Sequence, residues 1–398
     1  MRSVDSRRFA GILCGAVLFL AGALLLSACA PRRATNGHLV VIGGSLRESN
    51  TEIYNRIAEL TGEGTIGVLP TASGVPDESG PAAAERLESY TGEGRATVID
   101  ITTENPEAAN TRETAEEIAS HDGIFFTGGD QARVTAAFRP DGRDTRGYRA
   151  LEELLGRDGV IAGTSAGAAM MSDPMIMGGT STAALLHGRA GEGEDAPGVL
   201  IGPGMGFFPY GITDQHSLAR GRLGRLIVAL DETATDFGFA VDDNRAFHAD
   251  LNTGVLEALG GPQGFLFVDV TRTTRSAGGS YGVRLSLLGS GDRLLAENGE
   301  VIPAVEKIRL TPPEGEPGEL AAEDAWGRHV IRDLIVELAF DPATEAVAQD
   351  ENFELHFVED DWTRYWVAPG GDPETLTVVD LRLDIIPKPG ETVAQAAD

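Results

Sequence analysis

From residue 38 the chain alternates short apolar runs with amphipathic stretches. Leu39-Val40-Val41-Ile42 is unbroken apolar and stops at Gly43-Gly44, as a strand buried on both faces does. Ile53, Ile57 and Leu60 recur at helical spacing behind Asn50 or Thr51 as cap, which predicts a helix over 50–60. The alternation continues with strand 65–69, helix 80–91, strand 96–101, helix 111–120, strand 123–126, helices at about 131–138 and 147–156, and strand 160–164. Repeated β–α units with continuous apolar strands predict an α/β fold with a doubly wound, mostly parallel sheet. Ligands of such sheets bind beyond the carboxyl ends of the strands. The glycine-rich turns at 43–44, 128–129 and 163–167 all fall there.

After about residue 235 the pattern turns strand-rich, at 237–241, 246–249, 255–259 and 264–270. Residues 281–287 alternate, as do Phe353, Leu355 and Phe357, and then Val379, Leu381, Leu383 and Ile385. Residues 330–340 fit helix or strand. The stretch 310–322 is rich in Pro, Glu and Gly and reads as a linker. The domain plan is therefore an α/β part at 38–300, a linker at 301–322 and a β-rich C-terminal extension at 323–398. Trp326, Trp362 and Trp366 all lie in that extension. A small core is the reading we prefer for them over a flat polymer-binding face.

The first 29 residues read as a targeting segment. Arg2, Arg7 and Arg8 precede an apolar stretch over 9–26, and Leu26-Ser27-Ala28-Cys29 follows. That ending resembles a bacterial lipobox, with Cys29 as the lipidation site and residues 30–37 as a tether. A retained membrane anchor is the alternative, and Arg7-Arg8 permits a twin-arginine route. The expected location is outside the inner membrane of a bacterial cell or on its surface, held to a membrane through the lipid alone. Cys14 and Cys29 are the two cysteines, so the remaining chain has no disulfide, no Cys nucleophile and no Cys-based metal site.

Of 398 residues, 32 are Lys or Arg and 61 Asp or Glu, for a net charge of −29. Lys307 and Lys388 are the only lysines. Such a surface repels nucleic acid and anionic lipid and attracts cationic substrates. Salt adaptation is the simpler explanation. Gly43-Gly44-Ser45 and Gly128-Gly129-Asp130 lack the G-x-G-x-x-G spacing, and no Walker lysine exists anywhere, so we reject nucleotide binding at these turns. Histidines and carboxylates show no metal-binding spacing. No cofactor and no metal are expected.

The chemistry gathers in three places. Val160-Ile161-Ala162-Gly163-Thr164-Ser165-Ala166-Gly167 is an apolar strand running into a Gly-Thr-Ser-Ala-Gly turn. It fits a nucleophile elbow, which lifts a serine hydroxyl out of the sheet. A Gly-rich corner whose serine merely caps a helix gives the same string. Thr213-Asp214-Gln215-His216 leads into a run holding Arg220, Arg222 and Arg225, broken by Gly221 and Gly224. Arg222 and Arg225 share a helical face. The glycines suggest close backbone approach to a ligand, while an Arg–carboxylate lattice on a surface helix is the plainer account. Asp242 and Asp243 end a strand, where either carboxylate can orient the His216 imidazole or simply close a hairpin. His38, His121, His187 and His329 follow no such logic. His248 and His356 alternate within strands and read as ordinary packing or surface residues.

Gly128-Gly129-Asp130-Gln131, Gly163-Thr-Ser-Ala-Gly-Ala168, Asp214-Gln-His with its spaced arginines, and the Gly238-x-x-x-Asp242-Asp243 strand stand in one order. Together, over about residues 38–270, they resemble the cyanophycinase family of serine peptidases, which also holds aspartyl dipeptidase. The resemblance implies a sheet related to class I glutamine amidotransferases, with Ser in place of Cys. It implies Ser165 as nucleophile, His216 as general base, and Asp243 as acid where the family has Glu, with Asp242 as the fallback. Ala166 and Gly129 N–H would form the oxyanion hole. Gln131, Asp214, Gln215, Arg220, Arg222 and Arg225 would line the aspartyl pocket. The implied substrate is cyanophycin, a polyaspartate with Arg on each side chain, cut to β-aspartyl-arginine. Aspartyl or isoaspartyl dipeptides are the alternative substrate, and an inactive binding lipoprotein the third reading. A homodimer is compatible with all three.

Overall fold

The computed structural model describes residues 36–191, 196–276 and 278–389. The targeting segment, Cys29 and most of the tether lie outside the described residues. Strands β1 (His38–Ile42), β2 (Ile66–Leu69), β3 (Ala96–Val98), β4 (Gly123–Phe126) and β5 (Val160–Thr164) pair in parallel in the order β1-β5-β4-β2-β3. Beyond β1 the sheet continues with antiparallel strands Ala246–Asp250, Val255–Leu259, Arg293–Leu295 and Glu300–Ile302. The molecule is thus mixed α/β around a parallel-rich sheet.

Side-chain alternation places helices on both faces of β1. Leu39 and Val41 join a core with Ile118, Leu151 and Leu154. Val40 and Ile42 pack with Ile53, Ile57 and Leu87 on the other side. Each such side chain, fully buried, contributes about 1.5–3 kcal/mol relative to exposure. Three helices start on side-chain caps: Thr111, Asp130 and Thr145 accept from Thr114, Ala132 and Tyr148 N–H. Asn50, the expected cap of the first helix, instead gives its amide to Asn244 O and Gly260 O and caps nothing. The second helix begins at Pro76, ahead of the predicted residue 80, because a proline is tolerated in a first turn.

A second sheet runs through both halves of the sequence. Its order is Leu320–Glu323, Glu345–Gln349, Phe353–Val358, Thr377–Pro387, Gly279–Leu288, Phe265–Asp269, Phe237–Val241 and Ile212–Gln215. Leu285 faces Leu381 in the joint between Gly279–Leu288 and Thr377–Pro387, so the extension continues this sheet edge to edge. The stretch read as a linker holds strand Ile308–Leu310 and most of strand Leu320–Glu323, so it is not all linker. Residues 330–339 are helix, not strand. Phe239, Phe247, Phe265 and Phe267 make ring contacts where the two sheets meet. Of the tryptophans, Trp362 is 55% exposed and lies under the Arg272 guanidinium, so it is not core.

Candidate active site

Four strand ends converge. β5 runs into Ser165, and the Ser165 N–H donates to Ile42 O of β1 at 2.9 Å. Ser165 has φ +55 and ψ −111, sparsely populated for a non-glycine residue and costing about 1–3 kcal/mol. The turn closes because Gly163 and Gly167 touch: a Cβ on Gly163 would stand 2.2 Å from Gly167 O. The edge strand Ile212–Gln215 runs parallel to Phe237–Val241, with Gln215 opposite Val241. That register sets His216 beside Asp242 and Asp243. Gly43-Gly44, at the end of β1, stitches the pieces together. Gly43 O accepts from His216 N–H at 2.9 Å, and Gly44 O from Asn244 N–H at 2.7 Å.

The His216 Nε2 lies 2.8 Å from Ser165 Oγ, and its Nδ1 is hydrogen-bonded to Asp243 Oδ1. Asp243 Oδ2 accepts from Arg328 at 3.2 Å. Asp242 faces elsewhere. Its Oδ1 accepts from Leu218 and Ala219 N–H at 3.2 and 2.7 Å, and its Oδ2 lies 2.9 Å from His329 Nε2. It therefore pins the turn after His216. Burial pushes the His216 imidazole below its ordinary value, outweighing the upward pull of Asp243, and Arg220 and Arg222 push further down. Burial raises Asp243, but the His216 and Arg328 contacts outweigh it and hold that carboxyl below the ordinary range.

Gly128-Gly129 lies against the serine: a Cβ on Gly128 would stand 3.3 Å from Ser165 Cβ and 3.8 Å from Oγ. Gly129 has φ +144, and its Cβ would collide with Ala72 O. Among the described residues no backbone acceptor takes the Gly129 or Ala166 N–H.

The other expected pocket residues divide. Arg220 is exposed. Arg222 is half-buried, donates to Gln215 O at 3.0 Å, and forms no ion pair among the described residues. Burial first, then Arg225, lowers its pKa to about 10. Arg225 is engaged elsewhere. Its guanidinium grips Asp214 at 2.9 and 2.5 Å and Gly179 O at 3.0 Å, and both side chains are buried. An unpaired buried carboxylate costs so much that Asp214 recruits the nearest cation. Arg225 and Asp214 thus form a structural pair in place of the expected contacts to substrate. Gln131 is also buried and gives its amide to the Ile176 and Met177 carbonyls at 2.8 and 3.2 Å. Gln215 is buried, and its Oε1 has no partner among the described residues.

The helix starts at Leu223, so only Arg225 of the three arginines lies within it. Gly221 has φ +55, and its Cβ would meet Trp326 O at 2.2 Å. The close approach that these glycines allow is therefore to other parts of the chain: Trp326 at Gly221, and Ser181, Leu185 and Trp326 at Gly224. Sequence reasoning missed three contributors. Gly44 lies under the imidazole, where a Cβ would stand 2.2 Å from His216 Cε1; its place at a strand end was the available signal. Arg328 and His329 come from the extension and carry no local signal.

A profile of peptidase family S51 matches residues 39–252. The chain belongs to that family. It is 30% identical over 294 residues to the cyanophycinase of Trichormus variabilis, covering 69% of this chain and 91% of that one. It is 29% identical over 293 residues to the cyanophycinase of Nostoc sp., with the same coverage. Among solved structures, a peptidase from an acI-B1 Actinobacterium aligns at 16% identity with a TM-score of 0.47, over 65% of this chain and 96% of that one. Arg328 and His329 lie beyond the span that the peptidase profile matches.

Proposed function

We propose that this peptidase is a serine exopeptidase that hydrolyses cyanophycin to β-aspartyl-arginine dipeptides. The observation that carries the proposal is the continuous line from Ser165 Oγ through His216 to Asp243. In this reading His216 Nε2 takes the Ser165 proton as Oγ attacks the peptide carbonyl. Asp243 holds the imidazole by Nδ1 and stabilises its charged form without taking the proton. The Ala166 and Gly129 N–H groups receive the oxyanion. Collapse passes the proton from His216 to the leaving amine, and water repeats the sequence on the acyl-enzyme. Burial of His216 supports the base role, because it keeps the imidazole neutral near pH 7.

Arg220 and Arg222, cations without an ion-pair partner among the described residues, would meet the substrate carboxylate. The acidic remainder of the chain would receive its guanidinium. Cys29 would carry the lipid that keeps the enzyme outside the inner membrane, where it meets polymer released by other cells.

The test is to incubate the protein with cyanophycin and look for β-aspartyl-arginine by mass spectrometry. Release by the wild type and none by Ser165→Ala is expected. Equal release by both would overturn the serine mechanism. Cleavage of free aspartyl dipeptides alone would move the activity to dipeptides.

A further inference from the structure

A second cleft opens where Asp243 meets Arg328. Its volume is about 330 Å³. Arg47 and Arg245 line it from the α/β part, and Arg328, His329 and Arg332 from the extension. Asp242 and Asp243 also line it, but their oxygens are already engaged. Asp242 serves Leu218, Ala219 and His329; Asp243 serves His216 and Arg328. Arg245 is half-buried, and its Nε and Nη1 reach only the Pro262 and Asn244 carbonyls, at 2.6 and 2.9 Å. Burial lowers its pKa and outweighs the upward pull of Asp242 and Glu374, while repulsion from Arg332 and Arg47 pushes it further down. Arg47 is exposed at the lip, and its side chain takes no carboxylate among the described residues. Arg332 is half-buried, and its Nε and Nη2 donate to Asp333 Oδ1 at 2.9 and 2.6 Å; Asp333 is exposed, which leaves the pair weak.

In a chain of net charge −29, such a gathering is no by-product of a basic surface. Like charges brought together repel, and a planar oxoanion gripped by guanidinium forks relieves that repulsion. We propose that this cleft binds the carboxylate of an acidic peptide between Arg47, Arg245 and Arg332. It is separate from Arg220 and Arg222 and adjoins the proposed triad through Asp243. The choice of a peptide as ligand rests on the hydrolytic reading above; the site itself does not. An inorganic oxoanion shares the chemistry, so the test must separate the two.

The experiment is calorimetric titration of the full chain carrying Ser165→Ala, with tri-aspartate and, separately, with inorganic phosphate. Arg47→Gln, at an exposed position, and Arg332→Gln, at a half-buried one, are added singly and together, and the melting temperature checks the fold. The expected result is a loss of tri-aspartate affinity of about tenfold for each. Unchanged affinity in both arginine variants overturns the proposal. Phosphate binding that depends on these arginines, with no such dependence for tri-aspartate, also overturns it. If the wild type cuts no peptide while the titration behaves as expected, the hydrolytic reading falls and the cleft stands.

Discussion

Two histidines, His216 and His248, are held below their ordinary pKa mainly by burial, yet their surroundings differ in kind. His216 sits at φ +52, just past an edge strand, between a serine hydroxyl and a carboxylate. His248 is mid-strand, opposite Val40 of β1. Its Nδ1 accepts from Arg56 at 3.0 Å, and its Nε2 lies 3.0 Å from His38 Nδ1. Arg56 is held in turn by Glu257 at 3.1 and 3.3 Å. The His248 pKa is lowered to about 4, with Arg56 and His38 adding to the effect of burial. A depressed histidine therefore marks no site by itself. What distinguishes His216 is a partner with a proton to give on one side and an acid that fixes the ring on the other.

The sharpest way to break the comparison is to remove one member of each cluster. Ser165→Ala and His216→Ala should each lower kcat by on the order of 10⁴–10⁶-fold. His248→Gln should leave kcat within about twofold and be felt in stability alone. Steady-state hydrolysis of an aspartyl peptide measures both. Comparable losses at 216 and 248 would erase the distinction.

The two neighbouring acids come next. Asp243→Asn replaces the acceptor at His216 Nδ1 with an amide and should cost about 10³–10⁴-fold in kcat, with the fold intact. Asp242→Ala instead strands the buried Leu218 and Ala219 N–H groups and should cost about 1–3 kcal/mol of stability in denaturant unfolding. The opposite pattern would make Asp242 the working acid. A smaller loss is expected at Gly44. There φ is +119, and an added methyl would press on the imidazole. Displacing the ring by even part of an ångström should lower kcat about 10²-fold.

These contrasts also explain what was legible beforehand. Continuous apolar runs such as Leu39–Ile42 announce parallel strands because burial on both faces leaves no room for alternation. Ser165 was legible because its turn needs small residues at fixed offsets, and His216 because a dense polar run follows it. The use of Arg225 was not legible. Helical spacing puts it with Arg222, but a buried Asp214 one strand earlier competes for it, and spacing carries no information on that competition. The joint between Gly279–Leu288 and Thr377–Pro387 was equally hidden, since each strand reads the same whether it pairs across the 310–322 stretch or not. Arg328 and His329 reach the site only through that long-range packing.

The smallest effects concern pH, and here the two histidines act in different observables. His216 must be neutral to accept the serine proton. Its pKa lies below the ordinary 6.5, so the acid limb of kcat/KM should inflect below pH 6.5. Asp243 pulls that pKa upward, so Asp243→Asn should move the limb lower still in whatever activity remains. For His248 the folded pKa of about 4 lies below the unfolded value near 6.5. Between these values the unfolded chain binds a proton that the folded chain refuses, so stability falls as pH drops from 6.5 to 4. The loss from this one group is roughly 3–4 kcal/mol, complete only below its folded pKa. His216 adds to the same slope, which makes the wild-type curve alone ambiguous. His248→Gln resolves it, because the variant should flatten the stability curve over this range while leaving the acid limb of kcat/KM where it was. Chemical denaturation at half-unit pH steps, set beside the pH–rate profile, reads both. A variant that moved the rate profile as well would tie the two clusters together through β1, on which His38 and the Gly43-Gly44 turn both lie.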